Sequence, residues 1–115
     1  MKKTEAMIER EECLHEKWRE YDEDPRYAFL IGKGPFSLVA YIAIPPDHPM
    51  TDMDYYDILN IDGGPRVNGG LTFSNGNVFG WDYGHLHNWS TPSADIAEAL
   101  RYFKEKEGRK DVRKE

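Results

Sequence analysis

The residues best suited to chemistry lie in a glycine-rich segment, residues 62–89. Within it, Asp82, His85 and His87 place one carboxylate and two imidazoles within six residues. Such groups can bind a transition metal or transfer protons. In an extended segment the two histidines would point to the same side, and a third metal ligand would have to come from elsewhere, for example from His48. The spacing leaves metal binding, acid/base chemistry and a structural role open.

A second set of polar residues in this segment is suited to contacting a ligand. Arg66 is the one basic residue of an acidic and glycine-rich region, and the backbone amides of Gly69 and Gly70 could help it to bind an anion. No residue is assigned a catalytic role, and no metal or cofactor is assigned. The predicted ligand-binding residues are Arg66, Asn68, Thr72, Asp82 and His85.

Composition limits the class of protein. The 115 residues are predicted to form one domain, 1–115, with residues 1–3 and 109–115 frayed. A net charge of −6 argues against direct nucleic-acid binding, which depends on clustered Lys and Arg. The chain has one cysteine, no apolar leader and no run of membrane-spanning length. We therefore expect a cytoplasmic protein that does not bind a membrane.

Two helices are expected at the ends of the chain. From Thr4 to about Asp24 the sequence is rich in charge, free of Gly and Pro until Pro25, and carries a narrow apolar stripe that includes Trp18 and Tyr21. Near the other end, Ser90-Thr91-Pro92 offers a capping hydroxyl and a proline suited to the first turn, and predicts a helix from Pro92 to about Glu107. Both helices are expected to pack on a sheet.

Two β-hairpins should form that sheet. Residues 27–44 contain two runs rich in β-branched and aromatic residues around the turn Lys33-Gly34-Pro35. The second run is apolar on both faces and predicts a central strand. Residues 71–83 alternate like strands on either side of Asn75-Gly76, a strong hairpin signal. The aromatic face of this hairpin should lie under the helices, so that Thr72, Ser74 and Asp82 line an open polar face.

A long acidic loop separates the hairpins. Prolines at 45, 46 and 49 prevent regular structure, and residues 51–60 could form a short helix. Five aspartates fall between positions 47 and 62, and we call this segment the acidic lip. The predicted fold class is α+β: a small, mostly antiparallel sheet from two hairpins, with the N- and C-terminal helices packed on it.

The central residues resemble those of a family of small uncharacterised proteins from bacteriophages and bacteria. The family pattern has a His-Pro, a His-Gly-Gly-Leu-Thr-Tyr-Ser block, and Gly-Phe-Asp followed by His-x-x-Asp. Here Asn68 replaces the histidine of the block and Asn88 replaces the last aspartate. The resemblance covers roughly residues 41–89 and implies a phage or prophage setting rather than a reaction. The matching residues are 41–45, His48-Pro49, 67–74, Gly80-Trp81-Asp82 and His85.

Two functions follow from these observations. The first is a non-enzymatic binding or inhibitory protein of phage type, such as a counter-defence protein, which occupies a host protein or sequesters a small anionic, nucleotide-like ligand. The second is a small metal-dependent or acid/base hydrolase that uses Asp82, His85 and His87. The loss of two polar groups relative to the family favours the first. Association between copies of the chain is left open.

Overall fold

A five-stranded antiparallel sheet forms the centre of the fold. The computed structural model describes residues 2–108. The strands lie in the order β1-β2-β3-β5-β4, which confirms the predicted α+β fold with helices towards both ends of the chain. The elements are α1 (Glu5–Leu14), β1 (Arg19–Glu20), β2 (Ala28–Lys33), β3 (Leu38–Ala43), α2 (Tyr55–Asp62), β4 (Phe73–Asn75), β5 (Val78–Asp82) and α3 (Pro92–Glu105).

The first hairpin forms as its sequence predicts. Strands β2 and β3 pair from Ala28 opposite Ala43 to Lys33 opposite Leu38. The N–H of Gly34 donates to the carbonyl of Ser37 at 2.8 Å and closes the turn between them. Because β3 also pairs with β5, it is the central strand of the five.

The second hairpin also forms, but its turn lies one residue later than predicted. Asn75 pairs with Val78, so the two loop residues are Gly76 and Asn77. Gly76 has φ +59°, and a two-residue hairpin loop needs this left-handed conformation at its first position. The side chain of Asn77 is buried and donates to the carbonyl of Ile44 at 2.8 Å. Contacts with distant parts of the chain therefore place the turn.

The first helix is shorter than predicted. It begins after Thr4, whose hydroxyl accepts from the N–H of Met7, and it ends at Leu14 instead of near Asp24. His15 takes the left-handed conformation, φ +56°, and the chain reverses. Trp18 then returns to the helix, where its indole N–H donates to the carbonyl of Met7 at 2.8 Å. Burial of this large ring outweighs the helical propensity of the charged residues around it.

The helices cover both faces of the sheet. On one face, Met7 of α1 packs with Tyr41 and Val78. On the other face, Phe79 packs with Phe103 of α3 in a larger cluster that also contains the buried residue of α2, Ile58. Neighbouring residues of β3 and β5 alternate between the two clusters, as strand geometry requires.

This arrangement contradicts the predicted open polar face. Ser74 pairs with Phe79 and so lies on the α3 side, where its hydroxyl accepts from the N–H of Tyr55 at 3.1 Å. Asp82 pairs with Val39, which packs against the cluster under α1. Ser74 and Asp82 are thus on opposite faces. The prediction was wrong because residues that pair across strands share a face, and Phe73 pairs with Gly80. Asp82 lies two positions after Gly80 and therefore falls on the face of Phe73, not on that of Ser74.

The last helix begins as predicted. The hydroxyl of Thr91 accepts from the N–H of Ala94, and Pro92 occupies the first turn. Phe103 is fully buried, stacked on Phe79 with ring centroids 5.2 Å apart. Gly108, with φ +77°, follows the helix. The fraying predicted for residues 1 and 109–115 concerns positions outside the described residues.

Candidate functional site

A buried carboxylate anchors the glycine-rich segment to α3. Asp95 is 2% exposed. Its Oδ2 accepts hydrogen bonds from the N–H of Asn68 at 3.1 Å, the hydroxyl of Tyr83 at 2.6 Å and the hydroxyl of Ser90 at 2.9 Å. The Tyr83 oxygen in turn accepts from the indole N–H of Trp81 at 2.9 Å. One carboxylate oxygen therefore joins the loop before β4, the end of β5 and the start of α3.

Asn68 is the second anchor, and it is fully buried. Its side-chain oxygen accepts from the N–H of Trp89 at 2.8 Å. Its amide nitrogen donates to the side-chain oxygen of Asn88 at 2.8 Å and to the carbonyl of Asp82 at 3.2 Å. Asn88 donates to the carbonyl of Tyr83 at 2.9 Å. Asn68, predicted to contact a ligand, instead holds the loop 83–90 in place through these bonds.

Three of the predicted residues come together at the surface beside these anchors. His85 Nε2 lies 3.4 Å from Asp82 Oδ1, and the hydroxyl of Thr72 lies 3.5 Å from Asp82 Oδ2. Gly84 N–H also donates to Asp82 Oδ1 at 3.0 Å. The imidazole of His85 rests directly on Gly69, where any Cβ would collide with it. The site thus contains a carboxylate and an imidazole held over a glycine.

The other two polar residues named from the sequence do not join this group by any contact. Arg66 and His87 are exposed, and neither forms a hydrogen bond or ion pair with another residue in the range 2–108. Arg66 is therefore available to a partner. Within residues 2–108, no contact joins Arg66 to Asp82 or His87 to His85.

His48 is unavailable as a third metal ligand. It is buried, its Nδ1 accepts from the N–H of Met50 at 2.9 Å, and its Nε2 therefore donates to the carbonyl of Phe103 at 2.7 Å. Burial lowers the pKa of His48 and favours its neutral form. Over residues 2–108, no three His, Cys, Asp or Glu side chains are arranged to hold a metal ion.

Exposed apolar side chains surround the same end of the sheet. Val39 pairs with Asp82, so the turn before β3 and the loop after β5 lie at one end. The N–H of Tyr83 donates to the carbonyl of Leu38 at 3.0 Å and ties the two together. We call this the sheet-end surface. Its large apolar residues are Phe36 (96% exposed), Leu38 (46%), Leu86 (92%) and Trp89 (61%).

Phe36 and Leu86 were not predicted from the sequence as site residues. A usable signal was present, because each is a large apolar residue in a turn or loop, outside any helical or strand periodicity. Phe36 follows Gly34-Pro35, and Leu86 lies between two histidines. The signal is not specific, because Met50, Val67 and Leu71 also lie in loops and are buried in the core.

A shallow groove crosses the sheet-end surface. Its volume is about 400 Å³, and it lies between the turn before β3 and the end of β5. Pro35, Phe36 and Val39 form apolar walls, and Asp82 supplies a carboxylate. The apolar walls and the carboxylate together suit a partner group with both apolar and polar parts.

A larger groove, of about 700 Å³, lies far along the sheet from these residues. It is lined mainly by apolar side chains, including Met7, Ile44 and Pro45, with Arg26 among its charged residues. That arginine is already bound by Asp24 and Glu107, at 2.6 and 2.7 Å. The arginine of this larger groove is therefore already paired within the fold.

The acidic lip is partly neutralised within the fold. Asp54 caps α2 by accepting from the N–H of Tyr56 at 2.8 Å. Asp62 lies 2.6 Å from the ammonium of Lys106 and accepts from the hydroxyl of Tyr102 at 2.7 Å. The lip is therefore not a uniform negative surface.

Comparison with models of protein families, with curated proteins and with solved structures finds no match in any of the three. Within residues 2–108, none of the helices has the length and apolar character needed to cross a membrane. The fold and the site define an α+β domain with exposed apolar side chains at one end of the sheet and a neighbouring loop held by Asn68 and Asp95.

Proposed function

We propose that this chain is a binding protein that docks a protein partner through the sheet-end surface. The observation that carries the proposal is the exposure of Phe36, Leu86 and Trp89 on two adjoining loops. Large apolar side chains are rarely left in water together on a folded surface unless another molecule covers them. Tryptophan in particular contributes strongly to protein interfaces.

The anchoring of the loop supports the same proposal. Asn68 binds the backbone N–H of Trp89, and Asp95 binds Ser90, so the loop is held from two sides. A loop ordered before binding loses less conformational entropy when it docks, and this favours affinity.

A protein partner suits this surface better than a small anion does. Asp82 places a carboxylate at the centre of the site, where it would repel an anion. Arg66, the residue predicted to attract the anion, forms no hydrogen bond or ion pair with Asp82 in the part of the chain that the structure describes. A bacterial host protein as the target, with a phage setting and an inhibitory effect, remains a prediction from the resemblance.

Affinity capture with matched variants tests the proposal. The full chain is immobilised and exposed to a bacterial lysate, in parallel with a Leu86→Ser/Trp89→Ala variant and with Tyr56→Ser as control. Tyr56 is 63% exposed but lies on α2. Any protein retained by wild type is then purified, and its dissociation constant is measured by calorimetry for all three chains.

We expect at least a roughly tenfold weaker affinity for the double variant and no change for Tyr56→Ser. Thermal unfolding should show that the double variant is folded, because both side chains are exposed. Equal affinity of the double variant and wild type would overturn the proposal. The proposal would also be overturned if wild type retained no lysate protein that the double variant fails to retain.

One observation favours a second function. The 3.4 Å approach of His85 Nε2 to Asp82 Oδ1 resembles an acid/base pair, in which the carboxylate orients the imidazole. Under this hypothesis the chain is a small hydrolase without a requirement for His87. Activated esters should then be hydrolysed faster with the protein than in buffer alone, and His85→Ala should abolish this difference. A rate that His85→Ala leaves unchanged would refute the hydrolase hypothesis.

A further inference from the structure

The groove on the sheet-end surface contains an incompletely paired carboxylate. Asp82 Oδ1 accepts from Gly84 N–H at 3.0 Å and faces His85 Nε2 at 3.4 Å. Its Oδ2 faces the Thr72 hydroxyl at 3.5 Å, the outer limit of a hydrogen bond. Over residues 2–108, no Lys or Arg lies within ion-pair distance of Asp82. One carboxylate oxygen therefore retains most of its capacity to accept.

The walls of the groove are apolar and one is aromatic. Pro35, Val39 and the ring of Phe36 line the groove together with Asp82. Phe36 is almost completely exposed, so its ring face is free to contact a partner. An aromatic face attracts a cation, and the guanidinium of arginine stacks on such rings. A long basic side chain covers apolar surface with its methylene stem while its head reaches a carboxylate.

We propose that this groove binds an arginine side chain of the protein partner, with its guanidinium on Asp82 and its stem along Phe36 and Val39. This inference rests on the proposed function, because it names the chemistry by which the sheet-end surface recognises its partner. In this proposal Asp82 binds a cation, whereas the sequence predicted that Asp82 contacts a small anionic ligand. Leu86 and Trp89, which lie on the loop that follows Asp82, would then contact another part of the same partner.

A titration of the free protein tests the groove directly. The probe is N-acetyl-arginine amide, and the matched probe is N-acetyl-citrulline amide, which has nearly the same shape without the charge. Backbone amide signals of Phe36, Val39 and Gly84 are followed by NMR spectroscopy. The variants are Asp82→Asn, in which the side-chain oxygen can still accept from Gly84, and Asp57→Asn, which removes an exposed carboxylate on α2.

We expect saturable shifts with the arginine probe in wild type and in Asp57→Asn. The affinity should fall at least roughly fivefold in Asp82→Asn, and the citrulline probe should give no saturable shifts. Equal responses to the two probes would overturn the inference. An undiminished response in Asp82→Asn, with that variant shown to be folded by its amide spectrum, would also overturn it.

Capture of the partner separates this inference from the proposed function. A partner that Asp82→Asn binds as tightly as wild type, but that Leu86→Ser/Trp89→Ala loses, would refute the arginine groove and support the docking surface. A partner that the double variant still binds would refute the proposed function whatever the titration shows. The arginine groove and the docking surface are both supported if Asp82→Asn and Leu86→Ser/Trp89→Ala each weaken binding. In that case, lowering the salt concentration should strengthen binding more for wild type than for Asp82→Asn.

Discussion

The side-chain oxygen of Asn68 accepts the backbone N–H of Trp89 at 2.8 Å, across 21 positions of the chain. This bond couples the loop before β4 to the loop after β5. The same side chain donates to Asn88 and to the carbonyl of Asp82. The loop that carries Leu86 and Trp89 is therefore held by a residue that is itself fully buried.

Replacement of Asn68 by alanine should destabilise the fold and loosen the loop. The change leaves Trp89 N–H and Asn88 without their partner, and we expect a loss of about 1–3 kcal/mol in the free energy of unfolding. Urea denaturation measures the loss, and hydrogen exchange at residues 83–90 measures the loosening. As a control, Asn60→Ala on the exposed side of α2 should change stability by less than about 0.5 kcal/mol. Equal effects of the two changes would contradict the anchoring role.

Two neighbouring glycines provide a matched test of the His85 position. Gly69 and Gly70 have φ of +72° and +77°, so alanine at either position costs roughly 1–2 kcal/mol of backbone strain. At Gly69 the new Cβ would also collide with the His85 ring, whereas nothing lies within 4 Å of it at Gly70. Gly69→Ala should therefore be more destabilising than Gly70→Ala in denaturant titrations. In a His85→Ala background the two costs should become equal, and a persistent difference would show that His85 is not the cause.

Stability should fall between neutral and mildly acidic pH because of His48. Its Nδ1 accepts from Met50, and burial lowers its pKa in the folded state, while the unfolded chain binds a proton near pH 6.5. The unfolded state then binds more protons, so stability is complete above about pH 6.5 and is lost as pH falls below it. For one histidine, the free energy of unfolding changes by at most about 1.4 kcal/mol per pH unit. Urea titrations from about pH 7.5 to 5.5 should show a steeper loss in wild type than in His48→Ala.

Asp24 also makes the protein less stable as pH falls, but in a more acidic range than His48. Hydrogen bonds from Arg26 hold the pKa of Asp24 well below its ordinary value, so its contribution is lost only as pH falls below about 4. The change in the free energy of unfolding near pH 6 therefore reflects the titration of histidines and not that of Asp24. Identical slopes for wild type and His48→Ala in that interval would contradict the assignment to His48.

Phe103 should be among the most sensitive positions of the core. It is fully buried, stacks on Phe79 and meets the ring of His48 edge-on at 5.9 Å. Phe103→Ala should reduce the free energy of unfolding by about 3–5 kcal/mol in a denaturant titration. Arg101→Ala, on the exposed side of the same helix, should cost less than about 1 kcal/mol. A loss below about 1 kcal/mol at Phe103 would show that α3 is peripheral.

Much of the fold could be predicted from local sequence. The two hairpins, the central position of β3 and the start of α3 depend on alternation, on turn residues and on the Thr91-Pro92 cap, which act over a few residues. The end of α1 was not predictable in this way. The spacing of Leu14 and Trp18 suits a helix, but His15 reverses the chain so that Trp18 can bond to Met7.

The candidate site was predicted only in part. The glycine-rich segment was identified from its composition, and Thr72, Asp82 and His85 do come together there. Asn68 was predicted as a ligand contact but is buried as an anchor, and Arg66 is exposed without a described contact. The exposed Phe36 and Leu86 were not named as site residues.

The sequence by itself therefore determined the elements and the region of the site, because backbone preferences and apolar alternation are properties of near neighbours. The tertiary structure alone decided that Asp95 binds Asn68, 27 positions away, and that Phe36 lies beside the loop that carries Trp89. Those relationships arise from the pairing of β3 with β5 and from the placement of helices on both faces of the sheet. Such long-range contacts depend on how whole elements pack, and no short stretch of sequence contains that information.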